Sequence, residues 1–203
     1  MDTFFHINNN PDCNWKAGDE ILFGVEDNCM WRSFAGKGDF IELNGEKYTS
    51  DLVTRHAFDV YTREQPAPFQ MKDYHFNPIF TLREAIDSLG NSLKIIRELA
   101  FESIRKEFYS ELPSRHKCIW LIPNNKQSFD FWRSTLLNEK QKVFKLAVDG
   151  KIHRTAQKWL IGGTLPLDEM NSKAHSYWKG EDSGSIEDEI LFTGKVKVLE
   201  ELG

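Results

Sequence analysis

The stretch Ile186-Glu187-Asp188-Glu189-Ile190-Leu191-Phe192-Thr193-Gly194-Lys195-Val196-Lys197-Val198-Leu199 decides how this chain is read. Glu189 to Phe192 is an acidic residue opening an apolar strand. Thr193-Gly194 predicts a turn, and Lys195 to Leu199 alternates polar and apolar residues as a half-buried second strand does. A carboxylate at the first position of a strand sits at the rim of a sheet, where the backbone is rigid and solvent is near. It can hold a negative charge there against a developing positive one. Taken alone, Glu187, Asp188 and Glu189 do no more than solvate a strand end, so the rest of the chain decides between the two readings.

On the N-terminal side of this stretch, Gly180 to Ser185 is a polar loop, and Pro166 to Trp178 predicts a helix with Pro166 at its first position. Lys142 to Val148 alternates as a strand, with Asp149-Gly150 as a turn. Ser128 to Leu137 predicts a helix with Phe129, Trp132 and Leu136 on one side, and Cys118 to Ile122 a buried strand bounded by Pro123-Asn124-Asn125. Ser92 to Tyr109 carries the clearest helical pattern. Leu93, Ile96, Leu99, Ala100, Ile104 and Phe108 recur at helical spacing, with Lys94, Arg97, Glu98, Glu102, Arg105 and Lys106 mostly on other faces. Thr81 to Leu89 predicts a separate capped helix ended by Gly90-Asn91. Ser50 to Pro78, with Pro66, Pro68 and Pro78, reads as irregular with one short helix at most. Met30 to Phe40 reads as loop, and Ile41 to Tyr48 as a hairpin turned by Asn44-Gly45. Thr3 to Ile7 and the residues after Gly18 give the first two strands. Strands and helices mix without a regular βαβ rhythm, which predicts an α+β class with an antiparallel or mixed sheet. The expected organisation is one domain over 1–203, with 50–80 as an insertion or irregular segment.

Composition narrows the function classes. With 40% hydrophobic residues the chain can bury a core, and a net charge of -5 gives no global nucleic-acid signature. Lys140, Lys142, Lys145, Lys151, Arg154 and Lys158 form a local basic run, whose commoner meaning is a solvated face. Cys13, Cys29 and Cys118 show neither disulfide-framework nor metal spacing, and the six histidines are scattered singly, so no metal site is expected. No window approaches the roughly 18 apolar residues of a membrane span, and no signal peptide opens the chain. The expectation is a cytoplasmic protein with no membrane partner. Phosphate-loop, dinucleotide-fingerprint, zinc-protease and serine-elbow motifs are absent.

Three pieces occur in a suggestive order: Phe5-His6-Ile7-Asn8 with Gly18-Asp19-Glu20-Ile21-Leu22; Ile119-Trp120-Leu121-Ile122-Pro123-Asn124 with Ser128-Phe129-Asp130-Phe131-Trp132; and Asp188-Glu189-Ile190-Leu191-Phe192 with Val196-Lys197-Val198-Leu199. The set resembles the ADP-ribosyltransferase superfamily of the diphtheria-toxin, poly(ADP-ribose) polymerase and rifamycin-modifying type. Those proteins open with an aromatic-His-Gly strand, follow with a Gly-Ile-Tyr strand running into a helix near a Ser, and close on a catalytic Glu. The stretch Phe101 to Phe108, Pro113-Ser114-Arg115 through Leu121, His153-Arg154 and Trp159 also resembles a bacterial domain family of unknown function related to that superfamily.

The resemblance implies a split antiparallel or mixed sheet with flanking helices and a His6–Trp120–Glu189 triad. It also implies NAD as the ADP-ribose donor, a macromolecular acceptor (nucleic acid or protein), and a role as an intracellular toxin or anti-phage effector with an antitoxin or regulatory partner. NAD hydrolysis and a non-catalytic inhibitor on the same fold are its rivals. Loss of nicotinamide builds positive charge on the ribose, as in glycoside cleavage. Glu189 would stabilise that charge, Trp120 would stack on the cationic nicotinamide, and His6 would hold a ribose hydroxyl. The backbone of Ile7, Arg32 and Ser128 would complete the cofactor contacts, while Glu187, Ser114 and Arg115 would face acceptor or pyrophosphate. Two departures stand out: Ile7 replaces Gly, and Trp120 replaces Tyr. Glu187 adds the Glu-x-Glu of arginine-modifying members, which open with Arg and not His.

Overall fold

A computed structural model describes residues 2–8, 13–35, 40–43, 45–63, 77–136, 141–160 and 165–202. Its elements are, in chain order, β1 (Asp2–Asn8), β2 (Glu20–Phe23), α1 (Cys29–Ala35), β3 (Phe40–Leu43), β4 (Glu46–Thr49), α2 (Ser50–Arg63), α3 (Pro78–Phe108), β5 (Ile119–Pro123), α4 (Lys126–Leu136), β6 (Lys142–Ala156), α5 (Leu167–Lys179) and β7 (Asp188–Leu202), with a 3₁₀ turn at Gln157–Trp159. The class is α+β with antiparallel sheets. Two units emerge: Met1–Cys29 with Arg97–Ile161 and Leu165–Gly203, and Met30–Ile96 with Gly162–Thr164. The second unit contains the 50–63 helix.

In the first unit the strands run in the order β2-β7-β5-β1-β6, and β6 also pairs β7. The ladder β7-β5-β1-β6 therefore closes on itself, leaving β2 to extend β7 where β5 has ended. Closure removes the open edges of these four strands. Side chains alternate across the ladder. One set forms the interior core, with Ile119, Leu121, Phe144, Leu146, Ile190, Phe192, Val196 and Val198, joined by Phe4 and Trp15. The other set faces helices: Ile7, Ile122 and Val143 pack with Trp132 of α4, while Leu191 and Trp120 pack with Phe101, Met170, Tyr177 and Trp178 of α3 and α5. α5 ends at Gly180, whose φ of 71° lets the Gly180 and Glu181 amides bond back to the Tyr177 and Ser176 carbonyls.

The two turns predicted inside the closing strands are not turns. β6 and β7 are each continuous over 15 residues, and Gly150 sits opposite Gly194 in their ladder. A Cβ on Gly150 would lie 2.3 Å from the Thr193 carbonyl oxygen and 2.7 Å from the Gly194 Cα; Gly194 has φ 138° and meets Gly150 as closely. The glycines mark a close crossing of two backbones, with the Phe192 ring laid against both. A glycine that permits close approach and one that makes a turn look the same in a sequence.

Three helix expectations also change. α1 occupies part of the presumed 30–40 loop, and α2 is a 14-residue helix where irregular chain with one short helix at most was expected. Residues 36–39 and 64–76 lie outside the described residues. Gly90-Asn91 does not end a helix: α3 runs unbroken for 31 residues. One helical Gly costs only about 1 kcal/mol relative to Ala, which the flanking turns outweigh. The Asn44-Gly45 hairpin forms as β3–β4 with Gly45 at φ 80°, Asn44 itself lying outside the described residues.

Candidate functional site

α3 brings its carboxylates inward. Glu98 and Glu102, one turn apart, are buried beside Phe101, whereas Ile96 and Leu99 point to solvent. The expected apolar stripe holds for Ala100 and Ile104, which pack in the core, and fails for Ile96, Leu99 and Phe108, which are exposed. Glu98 turns inward because of the residue facing it. Arg115, at 2% exposure, donates from Nε to Glu98 Oε2 at 2.7 Å and from Nη2 to Oε1 at 3.3 Å. Its Nη1 donates to both the Tyr177 hydroxyl and Glu189 Oε2. The Tyr177 hydroxyl in turn donates to the same Glu189 Oε2 at 2.8 Å. Arg97 adds bonds to Glu98 Oε1 and to the Leu160 carbonyl. One guanidinium thus ties α3, α5 and β7 together.

The electrostatics follow from burial. Desolvation alone would lift the Glu98 carboxyl, but the Arg115 charge and bonds, with Arg97, hold it below the ordinary range. Burial works against the Arg115 charge, yet Glu189, Tyr177 and Glu98 more than offset it, so the guanidinium is held more firmly protonated than usual. Burial pushes the Tyr177 hydroxyl and the Cys118 thiol well up. A buried ion pair of this kind is costly to break on one side only.

Trp120 lies on the same face as Glu189. Its ring is half-buried, with the Arg115 guanidinium carbon 5.9 Å from its centroid. Both of these bonds to Glu189 enter through Oε2. The Glu189 side chain keeps 11% of its exposure.

His6 belongs to the other face. It pairs with Phe144 across β1–β6, and its ring stacks on Trp15 at 5.6 Å in the interior core. The β1–β5 ladder holds only Phe4–Pro123 and Phe5–Ile122, and at the next position the His6 Nδ1 meets the Trp120 carbonyl at 2.9 Å. Donation to a carbonyl fixes the proton on Nδ1 and leaves Nε2 as the acceptor. Burial lowers the His6 pKa from 6.5 to about 4, so the ring is neutral. The single open cleft expected for the triad does not form: β5 stands between His6 and the Trp120–Glu189 pair, although one contact chain links all three.

The remaining sequence candidates scatter. Ile7 is buried among Ile122, Trp132 and Val143 on the outer face. Ser128 is buried in the first turn of α4, where the Asn125 side chain accepts its amide. Arg32 is exposed on α1 in the second unit. Ser114 Oγ accepts the His116 amide at 3.2 Å. It lines a polar cavity of about 520 Å³ with Glu102, Arg105, Lys106, His116 and Lys151. Glu187 is exposed, and its neighbour Asp188 is the buried acid. Asp188 accepts the Gly184 and Ser185 amides and pairs with Arg154 at 2.9 Å. Of the basic run, Lys142 and Lys145 pair with Glu201 and Glu200 of β7 and Lys158 with Asp182, while Lys140 lies outside the described residues.

Sequence reasoning missed Glu98, Tyr177 and Asp188. Only Glu98 left a signal, as one of two carboxylates at i and i+4 framing the aromatic Phe101. No described helix is long and apolar enough to cross a membrane. No curated protein matches the chain. A family model described as a protein of unknown function (DUF2441) matches residues 4–203, nearly the whole chain, which therefore belongs to the DUF2441 family.

Proposed function

We propose that this chain breaks the bond between nicotinamide and the ribose C1′ of NAD and transfers the ADP-ribose to a macromolecular acceptor, protein or nucleic acid, as an intracellular toxin or defence effector. The observation that carries this reading is the setting of Glu189. A carboxylate opening a strand is pinned through Oε2 by Arg115 and Tyr177, keeps part of its surface open, and lies on the side of the sheet that carries Trp120. Held that way, Oε1 can face a ribose whose ring gains positive charge as nicotinamide leaves with the bonding pair. An acceptor oxygen or nitrogen then bonds to C1′ and gives up its proton.

The residues fit the donor in part. Glu189 and Trp120 suit ribose and nicotinamide, while Arg115, bonded to Glu98 and Tyr177, serves as a positioning residue for Glu189 and not as a pyrophosphate ligand. In this reading His6 fixes the β5 backbone behind Trp120 through its bond to the Trp120 carbonyl.

Incubation with NAD labelled on its adenylate tests the proposal. Label should move to an acceptor and nicotinamide should appear, and both should be lost in Glu189→Gln with an unchanged circular dichroism spectrum. Free ADP-ribose as the sole product would make the protein a hydrolase using water in the same site. Intact NAD with no calorimetric binding heat would sink both versions.

A second reading is favoured by two observations: every charge on Arg115 and Glu98 is already matched, and His6 lies across β5 from the pair it was expected to join. A non-catalytic binding or inhibitor protein built on this scaffold needs no more than that. In that case Glu189→Gln changes stability alone.

A further inference from the structure

The first two-thirds of α3 present a regular apolar row. Ile79, Leu82, Ile86, Leu89, Leu93 and Ile96 recur with spacings alternating three and four. Ile79 is 82% exposed, Leu82, Ile86 and Leu89 are each 60% or more, Ile96 is 51% exposed, and Leu93 is half-buried. Thr81, Glu84, Ala85 and Ser88 on the same helix are half-buried instead. A repeat averaging 3.5 residues is the seam of a two-helix coiled coil, not the 3.6-residue stripe of a helix lying on its own core. All six residues lie in one structural unit.

We propose that a second copy of this chain docks on this seam, its α3 antiparallel to the first. The seam is self-complementary in that direction. Ile79 meets the second copy's Ile96, Leu82 meets its Leu93, and Ile86 meets its Leu89. The same three layers then repeat in reverse, which closes a two-fold interface with no residue unmatched. The flanking positions do not oppose it. Arg83 falls opposite the second copy's Gly90, and Ala85 opposite its Ser92, so no like charges meet. Opposed helix dipoles favour the antiparallel sense. Burying an Ile or Leu removes roughly 100 Å² of apolar surface. The five exposed residues of each copy therefore come to about 1,000 Å² in total, the size that a specific interface needs.

The proposal is independent of the NAD reading and is tested without it. Sedimentation equilibrium of the wild-type chain should give the dimer mass, with a concentration-dependent dissociation. Leu89→Asp, in a central layer and exposed in the monomer, should weaken the dimer by at least about tenfold with unchanged helicity. Orientation is read in a Cys29→Ser background, since Cys29 is exposed and Cys13 and Cys118 are buried. Ile79→Cys mixed with Ile96→Cys should form a mixed disulfide. Ile79→Cys alone should not cross-link, because its two copies would stand about 26 Å apart along the seam. A wild-type monomer at every concentration overturns the proposal, and so does a dimer indifferent to Leu89→Asp. Cross-linking of Ile79→Cys to itself overturns the antiparallel arrangement.

Discussion

Arg115 is the residue on which the helix-covered face depends. Its partners Glu98, Tyr177 and Glu189 come from three elements, and its guanidinium has almost no contact with solvent. Arg115→Met should destabilise the fold by about 3–5 kcal/mol, because buried Glu98 is left to Arg97 alone and Glu189 loses its cation. Adding Glu98→Gln to it should recover part of that loss, and a urea titration of the two variants checks the order. Cysteine chemistry at this scale is equally specific. In the native protein an alkylating reagent at neutral pH should modify Cys29 and spare Cys118, whose buried thiol is pushed up and away from the reactive thiolate; mass spectrometry reads the sites. That Glu189 lies at the start of an apolar strand was legible in the sequence. Its partners were not, because a buried ion pair joins residues far apart in the chain. Glu98 looked like any solvated helix position, and Tyr177 like a core aromatic.

Among the elements, the β6–β7 ladder carries the most information. Gly150 and Gly194 let two backbones touch, so Gly194→Ala, which also meets a φ of 138°, should cost more than about 1 kcal/mol. Gly90 in α3 is the opposite case. A Cβ there meets nothing within 4 Å, and Gly90→Ala should stabilise the protein by about 0.5–1 kcal/mol. Thermal unfolding of the two variants should shift in opposite directions. The strands were readable from alternation, and the Asn44-Gly45 hairpin from its turn chemistry. Three errors came from glycines, at Gly90, Gly150 and Gly194, where the same residue type serves a helix interior, a crossing or a turn.

For the whole molecule, acid is the informative variable. The folded His6 ring ionises at about 4 against 6.5 when free, so between those values the unfolded chain binds a proton that the folded one does not. Stability is therefore complete above pH 6.5 and declines as pH falls toward 4, by about 3 kcal/mol from this group. His116 and His153, also lowered by burial, add in the same direction. Below 4.5 the Glu98 contribution fades in turn, as protonation removes the pairing that depressed its ionisation. His6→Gln should flatten the slope of melting temperature against pH between 4 and 6.5. The α+β class could be read from the interleaved pattern, but ring closure could not, because it depends on β7 pairing with both β5 and β6. That closure has a consequence for how the protein is made. β7 follows β1, β5 and β6 in the chain, yet it is the one that joins both ends of the ladder. Until it emerges, β1, β5 and β6 can form only an open three-stranded ribbon with an unsealed interior. The ring therefore seals only once β7 is in place, and a chain cut before Asp188 should leave that interior open to its neighbours.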